Sequence, residues 1–479
     1  MILLSTHLAT AGQISDAAGT TRRRRRREAA LDITLIGYTT RYRTGGAELQ
    51  RAAESLARRE RARGGEVRCI PIERKHLLLQ AFADIEAAGD QIAALHLLTH
   101  SGLYGPMFGT TEWPEQMSPA EWRATTIPFA PGAEASFHAC RTARWFAPFF
   151  ARTFGVPALG YHWYTTFSGR QDRFARPRWR DANAEVYLVG FPGRTSHGVW
   201  ASVGKYAGIT AAEPLKRFEP PAAGDGTDAA SYDGVAALYD AVFDDIGVRA
   251  VEVAWLEAHL RAACATLPVD PGRPDLLRPR VLDLGCGNGA LLQRWARQIG
   301  PSVGVDGSAG MLAQARRRNA ASDHLRFVQI DGPMLPLPNA SVDVAVSLLS
   351  FRYLDWDPLM RELRRVLVPG GRLLVVDMAA KAPTTAELPR LLADKLRTEL
   401  EARRRPAYRR ALATLVADPR WHAMLQYNPI RAWHEYAWYL QSRFPGREVE
   451  VLNIARTARV LAFDSGPIEA MRDVELTWP

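Results

Sequence analysis

The chain has 479 residues, 47% of them hydrophobic and 23% charged, with 37 Gly and 31 Pro. That composition excludes disordered, collagen-like and coiled-coil molecules and predicts two to four domains at about 100 to 200 residues each. Six of the charges behind the net +10 stand in one run, Arg22 to Arg27, so the remainder is only mildly basic and predicts no specific nucleic-acid partner.

Residues 1–30, which hold the arginine run, read as a solvated tail. No run reaches the roughly 18 apolar residues of a spanning helix, so a soluble, cytoplasmic protein without a membrane partner is expected. The 4 cysteines are Cys69, Cys140, Cys264 and Cys286. None stands in a C-x-x-C pair or at a zinc-like spacing with histidine, so neither a disulfide scaffold nor a metal site is expected.

In chain order, residues 31–218 alternate short apolar runs with helical patterns. Ile33 to Tyr38 reads as a strand, and Leu49, Ala52, Ala53, Leu56 and Ala57 as the buried face of a helix. Further strands are predicted at 67–72, 92–98, 135–138, 156–160 and 186–189. Alternation of this kind predicts a mostly parallel sheet covered on both faces. Residues 219–230 are small and proline-bearing and read as a linker.

After the linker, over 231–479, the rhythm returns with strands predicted at 280–284, 303–305, 326–330, 342–346 and 372–376. Two closing strands, 448–454 and 457–463, are too close for a crossover and predict an antiparallel hairpin.

The stretch Val281-Leu-Asp-Leu-Gly-Cys-Gly-Asn-Gly289 runs from a strand into three glycines and then a helix. Glycine there lets the backbone pass close to a ligand, and Asp306, 19 residues after Gly287, stands where a carboxylate can accept ribose hydroxyls. With Val305-Asp-Gly-Ser308, Met311, Asp331 to Pro338, Ser341 to Ser347 and Arg364 to Gly371, this half resembles the class I S-adenosylmethionine-dependent methyltransferases, particularly the small-molecule branch. The resemblance implies a Rossmann-like seven-stranded sheet, S-adenosyl-L-methionine as cofactor, and a small-molecule methyl acceptor with an O, N or C nucleophile.

It further implies that Asp283 orients the methionine ammonium, Gly285 and Gly287 line methionine and ribose, Asp306 holds the ribose, Met311 packs on adenine and Asp331 meets the adenine amino group. Ser347 and Leu348 are expected to face the methyl-donor pocket. The acceptor pocket is expected between the Tyr232/Tyr239 segment and an aromatic insert at 381–445, with His434 as its one candidate general base.

In the first half, the strands before His100 and before Cys140 end in polar or reactive groups. Groups at the carboxyl ends of neighbouring parallel strands share one edge, where an imidazolium can stabilise a thiolate. The His100 and Cys140 motifs, 40 residues apart, resemble the caspase-like cysteine peptidases, which implies a caspase-like α/β sheet and a peptide partner. One departure is visible, since the glycine comes after Ser101 and shifts the expected oxyanion donor. Two other readings stay open: a peptidase whose second half senses the cofactor, and a first half that is a non-catalytic interaction module.

Overall fold

The computed structural model describes residues 30–193, 198–221, 231–267, 278–428 and 430–472. The arginine-rich tail and most of the 219–230 segment lie outside the described residues.

The N-terminal half is built on a six-stranded sheet formed by β1 (Asp32–Tyr38), β2 (Glu66–Pro71), β3 (Gln91–Leu98), β4 (Phe129–His138), β5 (Ala158–Gly160) and β6 (Lys216–Phe218), in the order β6-β5-β4-β3-β1-β2. The first five are parallel, and β6 closes one edge antiparallel to β5. The helix Gly46–Ala62 packs on one face through the predicted Leu49, Ala52, Ala53, Leu56 and Ala57, all buried. The opposite face is filled by the helix Phe146–Phe154, whose Phe146 and Phe150 meet Phe137 at ring separations of 4.7 and 4.9 Å. A side chain of this size contributes about 1.5–3 kcal/mol when fully buried.

One predicted strand lies elsewhere: Tyr187–Phe191 pairs with Tyr164–Ser168 in a separate two-stranded antiparallel ribbon, with one further bridge from Gly190 to Glu213. Local composition marks extended chain and says nothing of which neighbour completes its ladder.

The C-terminal half is a seven-stranded sheet of β7 (Val281–Leu284), β8 (Ser302–Asp306), β9 (Leu325–Gln329), β10 (Val342–Leu348), β11 (Leu367–Ala380), β12 (Glu450–Ile454) and β13 (Ala458–Pro467). Its order is β9-β8-β7-β10-β11-β13-β12, and the expected closing hairpin supplies the antiparallel strands, β13 lying beside β11. Leu373 to Val376 are fully buried because helices cover both faces, which is why the central strands read as unbroken apolar runs. The order reverses at β7, between β8 and β10. That switch point is where a crevice opens at the carboxyl ends of the strands.

The two halves share a buried polar seam. Lys75 Nζ lies 2.7 Å from Glu121 and 2.8 Å from Asp357, and Asp357 also accepts from Tyr439 and from Arg443 at 3.1 Å. Arg431 lies over the rings of Tyr104 and Trp356, at 4.1 and 3.9 Å.

Candidate active site

Gly285, Gly287 and Gly289 follow β7 with φ of +70°, +53° and +71°, backbone that costs other residues strain. A Cβ on Gly285 would stand 2.3 Å from Ser350, whereas one on Gly287 would meet only the Met311 methyl, at 3.3 Å. The loop borders a cavity of about 1090 Å³ that Asp283, Gly285, Gly287, Asp306, Met311, Asp331 and Leu348 all line.

Ser347 corrects the expectation. It is fully buried, its hydroxyl donates to the Leu284 carbonyl at 3.2 Å, and it ties β10 to β7 beneath the cavity. Alternation along the strand sends Leu348 to the cavity and Ser347 away from it. Leu349 and Ser350 also line the cavity. Leu349 carries a left-handed φ of +62°, and the Ser350 hydroxyl donates to the Gly285 carbonyl at 2.8 Å. No pattern in the sequence marks this turn.

The electrostatics of the cavity suit a cationic, hydroxyl-bearing ligand. Asp283 is held up to about 8 by burial first and by the Asp306 charge second. Asp306 is also raised by burial, although its carboxylate accepts from Gly287 N at 2.9 Å and Ser308 N at 2.8 Å. Two carboxyls converging where water is scarce favour a positive partner, and each carboxylate oxygen retains a lone pair for a hydroxyl.

The segment 231–245 is stapled across the cavity's edge by residues that lie within the motifs but to which the sequence assigns no role. Asp233 accepts from Gly310 N at 2.7 Å and from the Ser308 hydroxyl, while Ser308 caps the helix Ala309–Arg318 by accepting from Met311 N. Asn288 donates to Asp240 at 2.9 Å and to the Phe243 carbonyl. These carboxylate and amide partners are distant in sequence from the glycine loop, so no local spacing announces them.

Residues 282–375 match the family model described as a methyltransferase domain. The chain is 38% identical over 106 residues to the ubiquinone/menaquinone biosynthesis C-methyltransferase of Hahella chejuensis, covering 21% of this chain and 43% of that one. It is 41% identical over 102 residues to the malonyl-[acyl-carrier protein] O-methyltransferase of Enterobacter lignolyticus, covering 21% and 39%. The chain thus spans about two-fifths of the length of these curated relatives. Among solved structures, an S-adenosylmethionine-dependent methyltransferase from Mesorhizobium loti is 32% identical, covering 26% of this chain and 55% of that one, with a TM-score of 0.21. Residues 282–375 of the C-terminal half thus carry a methyltransferase domain by family-model match.

His434 does not reach the large cavity. It lines a separate cavity of about 30 Å³ with Tyr42, Tyr104, Arg431 and Glu435. Burial lowers its pKa, and its charged surroundings are Glu435, Arg43, Arg141 and His100. The aromatic insert is mostly packing, as helical spacing allows. Tyr436 and Tyr439 are buried against Trp356, and Trp438 meets Tyr42 of the N-terminal half at 6.0 Å.

The His100 and Cys140 expectation is met in placement. Leu98 pairs with His138 in the parallel β3 and β4 ladder, so the two residues extend from the same edge. The details differ from an imidazolium-stabilised thiolate. Burial lowers the His100 pKa and favours the neutral ring, whose Nε2 is 2.9 Å from the Thr44 carbonyl, while Cys140 Sγ is 3.3 Å from both Thr165 Oγ1 and Thr165 N. The Ser101 hydroxyl donates to the Cys140 carbonyl. Nearby backbone donors are already committed: Arg141 N to the Trp163 carbonyl, and Leu103 N to Glu435 of the methyltransferase domain at 2.8 Å.

Proposed function

We propose that the chain transfers the methyl group of S-adenosylmethionine to an O, N or C nucleophile of a small molecule, as a two-domain protein divided at 219–230. The observation that carries this reading is the pair Asp283 and Asp306, converging on the glycine loop with burial raising both pKa values and no basic side chain in ion-pair contact with either among the described residues. The cofactor supplies an electrophilic methyl on a sulfonium centre. The chain's own residues then bind and orient: Asp306 receives the ribose hydroxyls, Asp283 the ammonium, Met311 and Asp331 the adenine, while Leu348 and Ser350 border the methyl. Holding donor and nucleophile in line supplies most of the acceleration such a transfer needs, and the thioether leaves without acid catalysis. Calorimetric titration with S-adenosylmethionine, followed by mass analysis of products formed with labelled donor, tests the reading. Absence of binding at millimolar cofactor overturns it.

The N-terminal half, in the same proposal, is a caspase-like domain that keeps Cys140 and His100 at adjacent strand ends. A peptide-cleaving role is supported by one feature, the Thr44 carbonyl that accepts from His100 Nε2–H and leaves Nδ1 free for a proton. The committed donors Arg141 N and Leu103 N weigh against it, because acyl transfer needs free N–H groups for an oxyanion. The methyltransferase reading is therefore the one carried forward.

A further inference from the structure

The cavity stands at the upper end of the size range of ligand sites. Sites for a drug-sized ligand span about 300–1,000 Å³, and this one reaches about 1090 Å³. Its far end lies outside the methyltransferase domain. From the cofactor end the wall runs along Leu348, Leu349, Ser350, Tyr353, Leu354 and Asp355, and at Asp355 it meets the N-terminal half, where the carboxylate accepts from Ala120 N at 2.9 Å. Beyond that contact the lining residues are Leu103, Tyr104, Pro119, Arg123 and Trp145, all from the N-terminal half.

Three of these five, Tyr104, Trp145 and Arg123, are held in place by aromatic packing and hydrogen bonding. Tyr104 is buried, donates its hydroxyl to the Arg352 carbonyl at 3.0 Å, and packs against Trp145 at a ring separation of 4.9 Å. Trp145 stacks in turn on Phe149 at 4.7 Å, and the Arg123 guanidinium lies 5.5 Å over that same Phe149 ring. The end of the cavity is thus a fixed aromatic wall with a cation at its rim.

Arginine usage decides the chemistry of what fits. Arg249 faces Glu252 at 3.7 Å, and Arg420 pairs with Asp418 at 2.8 Å. Arg123, exposed, makes no ion pair among the described residues. Its charge acts on the Asp355 carboxylate in the same wall, but with no ion pair formed, a guanidinium beside an aromatic face suits a carboxylate or phosphate carried on a planar body.

Resting on the methyltransferase reading, the geometry points to an acceptor subsite completed by the N-terminal half, in which Tyr104 and Trp145 hold an aromatic acceptor and Arg123 holds its anionic substituent. The caspase-like half then acts as a specificity wall for the methyl transfer, independently of Cys140.

The full chain, saturated with S-adenosylhomocysteine, is titrated with salicylate, its neutral isostere salicylamide, and phenyl phosphate, using ligand-observed NMR. One of the two anions is expected to bind roughly tenfold more tightly than salicylamide, the effect of a charge-assisted hydrogen bond. Arg123→Gln should erase that preference while leaving S-adenosylhomocysteine affinity within about twofold, and Trp145→Ala should weaken all three probes. Equal binding of anions and amide, absence of binding by all three, or a preference that survives Arg123→Gln each overturns the subsite. Failure of the wild-type chain to bind S-adenosylhomocysteine is a different result, which overturns the methyltransferase reading and this inference with it.

Discussion

Asp306 and Asp283, the two carboxyls proposed to hold the cofactor, sit in different environments that make different predictions. Asp306 is organised by backbone N–H groups from Gly287 and Ser308, so Asp306→Ala should weaken S-adenosylmethionine binding by about 2–4 kcal/mol without unfolding the domain, read by calorimetry and circular dichroism. Asp283 makes a prediction about pH. Its native value of about 8 lies above the ordinary 3.8, so the native state holds a proton across that window that the unfolded chain has released. The ligand-free protein therefore loses stability as pH rises from about 4 to 8. A cationic ligand favours the ionised carboxylate, so cofactor affinity should climb over the upper part of the same window and level off above it. Asp283→Asn should remove that climb, and an unchanged profile in the variant would assign it elsewhere.

Cysteine reactivity is the third prediction at this scale. Burial pushes Cys69 and Cys264 up to about 11, which keeps them as inert thiols near neutral pH. Cys140 sits half-buried past a strand end on the same sheet edge as His100. It should alkylate with iodoacetamide faster than either, and because burial favours the neutral His100 ring, His100→Ala should change that rate little. Peptide mapping by mass spectrometry that finds Cys140 no faster than the other two would reduce the pair to packing residues.

At the level of elements, two segments join regions far apart in sequence. The strap of residues 231–245 is held to the cofactor site through Asp233, which accepts from Ser308 and Gly310, and through Asp240, shared by Asn288 and Arg318. Asp233→Ala removes a partly buried acceptor from two donors and should weaken cofactor binding roughly tenfold while the sheet stays folded. Hydrogen exchange confined to the strap would report its release. The helix Trp433–Arg443 is the second such segment. Its Glu435 accepts from Leu103 N, its Trp438 lies under Arg43 at 5.3 Å, and its Tyr436 is buried in the methyltransferase core. This helix of the insert therefore fastens the halves, while Arg420, Ala423, Met424 and Asn428 of the same insert line the large cavity together with Tyr232 and Tyr239.

The whole molecule is organised around the buried seam of Lys75, Glu121, Asp357 and Arg443. Lys75 is raised and Asp357 lowered by their mutual attraction despite burial, so both stay charged in the interior. Removing one member of such a cluster strands the others, a cost of about 3–5 kcal/mol. Lys75→Ala should accordingly destabilise both halves together, seen as one cooperative urea transition shifted to lower denaturant. The linker composition taken alone predicts that residues 231–479 fold by themselves. The seam predicts instead that this fragment, with Asp357, Arg431 and Glu435 stripped of their N-terminal partners Lys75, Tyr104 and Leu103 N, is markedly less stable than the same region in the full chain. Two transitions of equal stability in fragment and full chain would favour the linker's prediction.

Much of this protein is legible in one dimension, for a physical reason. Runs such as Leu373 to Val376 must be buried on both faces, glycines at 285, 287 and 289 must take left-handed backbone, and an acid at the end of the next strand has little packing role; each is a local constraint written in adjacent residues. The βα order, the closing hairpin, the cofactor loop and the shared edge of His100 and Cys140 follow from such constraints. What sequence reasoning placed wrongly depends on partners that no spacing encodes. Ser347 and Leu348 differ only in which face of β10 each occupies, His434 is carried to the N-terminal half by the packing of its helix, and Tyr187–Phe191 joins a ribbon because Tyr164–Ser168 is near it in space. The seam at Lys75 and the cavity wall at Tyr104, Arg123 and Trp145 were decided by docking one half against the other. Contacts between residues hundreds of positions apart are chosen by shape and charge only once both surfaces exist.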